Sequence, residues 1–77
     1  MKVFQGNYDG RREAMVAARN QKDAAQALGT SVHSLRSFYS SHKPESDNDL
    51  AATLEPGVVW LRSMRSYPRG EWVKRET

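Results

Sequence analysis

Few side chains in this chain are placed for covalent chemistry. Its two histidines, His33 and His42, each stand beside serine, in Val32-His33-Ser34 and Ser41-His42. A serine hydrolase also needs a group that orients the histidine and donors for an oxyanion, and no pattern here supplies them. Asp47-Asn48-Asp49 has the alternating oxygens that open a calcium loop. It lacks the glycine and the closing bidentate glutamate of that loop, so it reads as a helix cap followed by a connection. Cysteine is absent, which excludes disulfides, thiolate metal sites, iron–sulfur ligation and thiol nucleophiles. Two histidines without cysteine do not make a zinc site. The expectation is a protein that is not an enzyme and that folds without metal or cofactor.

The residues suited to recognition are more numerous. Twelve basic and nine acidic residues give a net charge of +3. Residues 1–43 carry an excess of four positive charges, residues 44–57 four negative charges and no base, and residues 58–77 an excess of three positive charges. Two basic blocks thus flank an acidic one. This balance favours anionic partners, while an ordinary patchy soluble surface fits it equally well. Trp60, Arg62, Arg65, Tyr67, Arg69 and Trp72 fall within 13 residues, and these side-chain types dominate binding hot spots. Trp60 alone reads first as a core residue. Tyr67, Arg69 and Trp72, around Pro68 and Gly70, read as core or as an exposed binding loop.

The elements that position these groups must be small. The chain has 77 residues, 38% of them apolar, with eight alanines and no isoleucine. Leu, Val and Phe make up about 17%, below the roughly 20% level at which disorder competes with folding. Seven aromatics argue for a real but thin core in a single domain spanning residues 1–77. No apolar run approaches a membrane span, and Met1-Lys2-Val3-Phe4 lacks a secretory stretch. A cysteine-free domain of this size suits a reducing cytoplasm.

Asp9-Gly10 is a hairpin turn signal after Val3, Phe4 and Tyr8. Glu13 to Ala18 reads as the returning strand, with a helix as the alternative, because Ala, Glu and Met are good helix formers. From Gln21 the apolar period changes. Ala24, Ala25, Leu28, Val32, Leu35, Phe38 and Tyr39 recur at helical spacing. Asn20 is placed to cap the first helix and Gly29 to stop it. Ser31 or Thr30 caps the second, which runs to about Ser40, so the pair occupies about 21–41. Residues 44–57 read as an acidic connection in which Asp47 caps a short turn. Val58-Val59-Trp60-Leu61 has strand composition, with one face buried on the helices and the other wet or an interface. Trp72-Val73 forms a last short strand. The fold expected is α+β: an N-terminal β-hairpin, a helix pair, and one or two C-terminal strands.

The window Gln21-Lys22-Asp23-Ala24-Ala25-Gln26-Ala27-Leu28-Gly29-Thr30-Ser31, continued by His33-Ser34-Leu35-Arg36-Ser37-Phe38-Tyr39, resembles the helix-turn-helix of bacterial and phage repressors. Ala25 stands where the helices cross and Gly29 in the turn, with Ala24, Leu28, Leu35 and Phe38 as the buried positions. The resemblance implies that Ser31, His33, Ser34, Arg36 and Ser37 would read DNA bases. Arg19, Lys22 and Lys43 would hold phosphates. A plain structural helix hairpin is the competing reading.

A second resemblance is spread along the chain. Met1-Lys2-Val3-Phe4, Gly6-Asn7-Tyr8-Asp9-Gly10-Arg11-Arg12, the helix pair, Pro56-Gly57-Val58-Val59-Trp60 and the late Trp72 look like small phage-encoded transcription regulators that bind host RNA polymerase. That resemblance implies binding to the β′ subunit, weakened σ engagement, inhibited initiation and antitermination, in the host cytoplasm. Partner contacts would come from Trp60, Arg62, Arg65, Tyr67, Arg69 and Trp72. Sequence-specific DNA-binding repression is the alternative function.

Overall fold

The architecture is built on the N-terminal hairpin. In the computed structural model, which describes residues 1–64 and 70–75, β1 (Lys2–Asn7) and β2 (Arg12–Ala18) pair antiparallel from Lys2↔Ala18 to Asn7↔Glu13. The turn is held by short side chains. Asn7 Oδ1 accepts from Gly10 N at 2.7 Å, and Asp9 Oδ1 accepts from Arg11 N and Arg12 N at 3.0 and 2.8 Å. The segment from Glu13 to Ala18 is therefore strand.

Next come α1 (Gln21–Leu28), α2 (Val32–Phe38), β3 (Tyr39–His42), α3 (Asp47–Leu54), β4 (Trp60–Ser63) and β5 (Val73–Lys74). The strands form a five-stranded sheet in the order β3-β1-β2-β4-β5, with every neighbouring pair antiparallel. The class is α+β, as expected. Among the described residues, no helix is long and apolar enough to cross a membrane.

Helices cover both faces of the sheet. Successive side chains of a strand point to opposite faces, and the two faces bury different residues. On one side Phe4, Ala14, Val16 and Ala18 pack with Ala24, Ala25 and Leu28 of α1, Leu35 of α2, and Val59 and Leu61. On the other, Val3, Met15 and Ala17 pack with Ala52 of α3, flanked by Trp60 and Trp72. This two-sided cover explains β2, in which every residue from Glu13 to Ala18 is buried. Its alanines let a helix approach closely on each side.

Four expectations are corrected. The helix pair ends at Phe38 rather than near residue 41, because Tyr39–His42 pairs with β1 from Val3↔His42 to Gly6↔Tyr39. Its backbone bonds then go to a sheet edge instead of a third helical turn. Residues 44–57 are more than a connection, since they hold α3, capped by Ser46 rather than Asp47. Ser46 accepts from Asp49 N at 3.1 Å in a complete capping box. Phe38 does not lock the pair, being 63% exposed, and α2 buries Leu35 alone. The sheet face opposite α1 and α2 is likewise neither wet nor open, for α3 lies on it.

The caps of the pair are as expected. Asn20 Oδ1 accepts from Asp23 N at 2.8 Å, and Ser31 Oγ accepts from Ser34 N at 3.1 Å. Gly29 closes α1 at φ 74°, a left-handed conformation that a side chain disfavours.

Candidate nucleic-acid interface

The three layers turn the charge blocks of the sequence into opposite faces. α3 begins with Asp47 and Asp49 and is followed by Glu55, so the helix on one side of the sheet carries acids, of which Asp49 is buried against His42 and Glu55 is paired with Lys74. The other side carries α1 and α2. There Lys2, Arg19 and Lys22 line a groove of about 460 Å³ with Phe4, Asn20, Gln21, Val32 and Ser41. No carboxylate lines it. Lys2 reaches this face because it stands opposite Ala18 in the ladder, and Arg19 and Lys22 flank the capped start of α1. Among the described residues, these three cations make no ion pair.

The outer surface of α2 continues from the groove. Leu35 is its buried residue. At 100° per residue His33, Arg36 and Ser37 then share the opposite stripe, and all three are exposed. Arg36 Nε donates to Gln21 Oε1 at 3.0 Å. That bond ties the guanidinium to α1 through Nε. Ser37 Oγ donates to His33 O at 3.1 Å. Ser31 and Ser34 are used in the cap and in a mutual hydroxyl bond of 3.2 Å. Of the five residues expected to read bases, His33, Arg36 and Ser37 form the outward stripe, while Ser31 and Ser34 hold the turn. Lys43 is exposed just after β3.

The C-terminal set is arranged differently. Trp60 stands opposite Met15 in the ladder and, with Trp72, packs on the second core cluster. Arg62 is ion-paired with the buried Glu13, and its guanidinium lies 4.4 Å from the Trp72 ring centroid. Lys74 Nζ is 5.4 Å from the Trp60 ring centroid and 2.7 Å from Glu55 Oε2. Trp60 Nε1 is buried with no hydrogen-bond partner among the described residues. Arg65, Tyr67 and Arg69 lie outside the described residues. The structure thus brings Trp60, Arg62 and Trp72 together on the α3 side, where they bind largely to their own chain.

The two histidines are apart. His33 is on the outer stripe of α2, whereas His42, on β3, meets α3 from the other side of the sheet. His42 Nε2 is 3.0 Å from Asp49 Oδ2, which also accepts from Glu45 N and Ser46 N at 3.1 and 3.3 Å. Burial pushes the Asp49 carboxyl up. The two backbone N–H groups and His42 outweigh it, so the pKa lies below its ordinary value. The Asp47-Asn48-Asp49 run is therefore the start of a helix, with Asp49 turned inward.

No protein-family model, curated protein or solved structure matches this chain. Geometry carries the functional argument.

Sequence reasoning missed Lys2 as a member of the basic groove. Its alternation with Val3 puts it on the face of Phe4, but its nearness to Arg19 and Lys22 depends on the β1–β2 register. It also missed that Tyr8, Arg12 and Arg75 converge. Arg12 Cζ is 5.6 Å from the Tyr8 ring centroid, and Arg75 Nη1 is 3.4 Å from Tyr8 Oη. Arg75 Nη2 also donates to Ala27 O at 3.0 Å. Sixty-seven residues separate Tyr8 from Arg75, and no local pattern links them.

Proposed function

We propose that this chain is a non-enzymatic regulator that binds duplex DNA through its α1–α2 face. The observation that supports the reading is the separation of charge: Lys2, Arg19 and Lys22 gather beside α2 without acidic partners, and the acidic helix stands on the far side of the sheet. Such a molecule meets a polyanion in one orientation, steered by its own field. Cations held near phosphates release counterions, which supplies affinity. An α-helix such as α2 is about 10–12 Å across with its side chains, and the major groove is about 12 Å wide. Docked there, α2 presents His33, Arg36 and Ser37 to base edges. Arg36, anchored by Gln21, is the residue suited to guanine O6 and N7.

The test is selection of a preferred site from randomised duplexes, followed by Arg36→Ala. We expect the variant to lose about 1–3 kcal/mol on the preferred site and to relax preference at one base pair. Unchanged affinity and preference would remove α2 from readout.

A second reading, docking on bacterial RNA polymerase to block initiation or promote antitermination, has support on the α3 face. Leu50 and Leu54 stand one turn apart and are 53% and 83% exposed. An exposed apolar pair on an acidic helix suits a protein partner with a basic rim. Co-elution with core polymerase after nuclease treatment, lost in Leu50→Asp, would favour it.

A further inference from the structure

The end of the molecule beyond Gly29 carries a second recognition feature. Tyr8, Phe38 and Tyr39 line a cleft of about 480 Å³ with Leu28, Thr30 and Ser34. That volume is in the range of small-ligand sites. Phe38 is the one aromatic among the strongly exposed large hydrophobics of the described residues. It closes α2 and overhangs the cleft rather than the core. Tyr39 is partly buried, and burial, with Tyr8 and Asp9 nearby, raises its hydroxyl pKa; the group remains a neutral donor at physiological pH.

Polar atoms are available around these rings. Asn7 lines the cleft. Its Oδ1 accepts from Gly10 N, and its amide NH₂ group is a further donor. Tyr8 is a shared wall. On its other side lies a cleft of about 650 Å³ whose lining includes Arg12, Leu61, Glu71, Val73 and Arg75. Arg12 is neutralised by Asp9 at 2.9 Å. Arg75, bonded to Tyr8 Oη and Ala27 O, has no carboxylate partner among the described residues.

We propose that the Tyr8–Phe38–Tyr39 cleft takes an unstacked nucleobase of single-stranded nucleic acid, with Arg75 beside it for the adjoining phosphate. Bases present flat faces that stack on aromatic rings regardless of sequence, and a neighbouring cation follows the backbone. Three rings with amide and hydroxyl groups between them match a base with polar edges better than an aliphatic side chain. The cleft and the basic groove lie on the same side of the sheet, at opposite ends of β1. A strand entering the cleft is therefore continuous with nucleic acid held along α2. This inference goes beyond the duplex reading, because it requires bases that are out of the stack.

The experiment uses the whole chain and fluorescence anisotropy with three labelled probes: a short oligothymidylate, an abasic strand of equal length, and a duplex. We expect wild type to bind oligothymidylate more tightly than the abasic strand. Phe38→Ala should weaken oligothymidylate binding about 5- to 150-fold and leave the abasic strand unchanged, while Phe38→Trp retains affinity. Phe38 is exposed, so circular dichroism should show native folds for both variants. Equal binding of the two single strands by wild type, or oligothymidylate affinity unchanged by Phe38→Ala, overturns the proposal. Base-dependent single-strand binding without duplex binding supports it and overturns the duplex reading alone.

Discussion

Replacing Gly6 with alanine should unseat β3 and the end of α2. Gly6 stands opposite Tyr39 in the β1–β3 ladder. A Cβ built on it lies 2.1 Å from the Phe38 carbonyl oxygen and 2.7 Å from Tyr39 Cα. Its φ is not in the left-handed region, so the backbone itself accepts alanine. The obstacle is space, and the atoms in the way are main chain. To reach an ordinary contact of 3.4 Å the carbonyl must retreat by about 1.3 Å, which shears the α2–β3 junction against β1. Overpacking in a core costs about 1–3 kcal/mol when side chains yield, and a backbone obstacle sets the cost at about 3 kcal/mol or more. A chain of 77 residues has a total stability of about 4–12 kcal/mol. At about 4–8 °C per kcal/mol for a domain this small, the thermal midpoint should fall by about 12–24 °C. Calorimetry measures the fall, and hydrogen exchange across Tyr39–His42 locates it, since the β1–β2 amides should stay better protected. A midpoint within about 2 °C of wild type would refute the close approach of α2 to β1.

Gly29→Val should cost about 1–3 kcal/mol, since Gly29 holds φ 74° with open space around its missing Cβ; an unchanged urea midpoint would place the turn elsewhere. Arg62→Ala strips the buried Glu13 of a cationic partner and Trp72 of its stacked guanidinium, and should cost about 3 kcal/mol. Near-neutral stability with an unaltered near-ultraviolet tryptophan spectrum would count against that cluster. For Asp49, the folded pKa is below the ordinary aspartate value of 3.8. Its contribution is therefore fully present above about 3.8 and disappears as pH falls through the folded value. Asp49→Asn should cost about 1–2 kcal/mol at neutral pH, and the gap to wild type should close in acid well below 3.8. A gap independent of pH would contradict the charged carboxylate.

The hairpin, both helix caps, the Gly29 stop and the presence of C-terminal strands were legible because each rests on local chemistry, although β4 runs Trp60–Ser63, two residues later than the expected Val58–Leu61. Asp9 and Asn7 serve amides within three residues of them, and Asn20 and Ser31 precede helical periods. β2 was ambiguous for a physical reason. Buried on both faces, it uses Ala14, Ala17 and Ala18 where a one-sided strand would alternate with polar residues, and alanine also favours helices. β3 was hidden because Phe38 and Tyr39 extend the helical spacing of Leu35, and only the pairing with β1 converts Tyr39 to strand. α3 was masked by its acids: Ala52 is its buried apolar residue, Asp49 turns inward to His42, and Leu50 and Leu54 face out. For the site, Arg36 and the cations flanking α1 were readable from the helix-turn-helix spacing. Lys2 and the Tyr8–Arg75 contact were not, since both depend on strand register over long separations. The Trp and Arg residues of the C-terminal block looked like a partner surface because hot-spot types and core-edge types are the same residues.

The central claim is that phosphates are held by Lys2, Arg19 and Lys22 on the α1–α2 face. It is tested most directly by the slope of log binding constant against log salt for a duplex, in wild type and in a variant combining Lys2→Ala, Arg19→Ala and Lys22→Ala. Each phosphate contact contributes about 0.9 to that slope. All three side chains are exposed, so the variant should fold. The account predicts that the variant binds more weakly at low salt and that the steepness falls by about 2.7. An equal slope and equal affinity in the variant would contradict it.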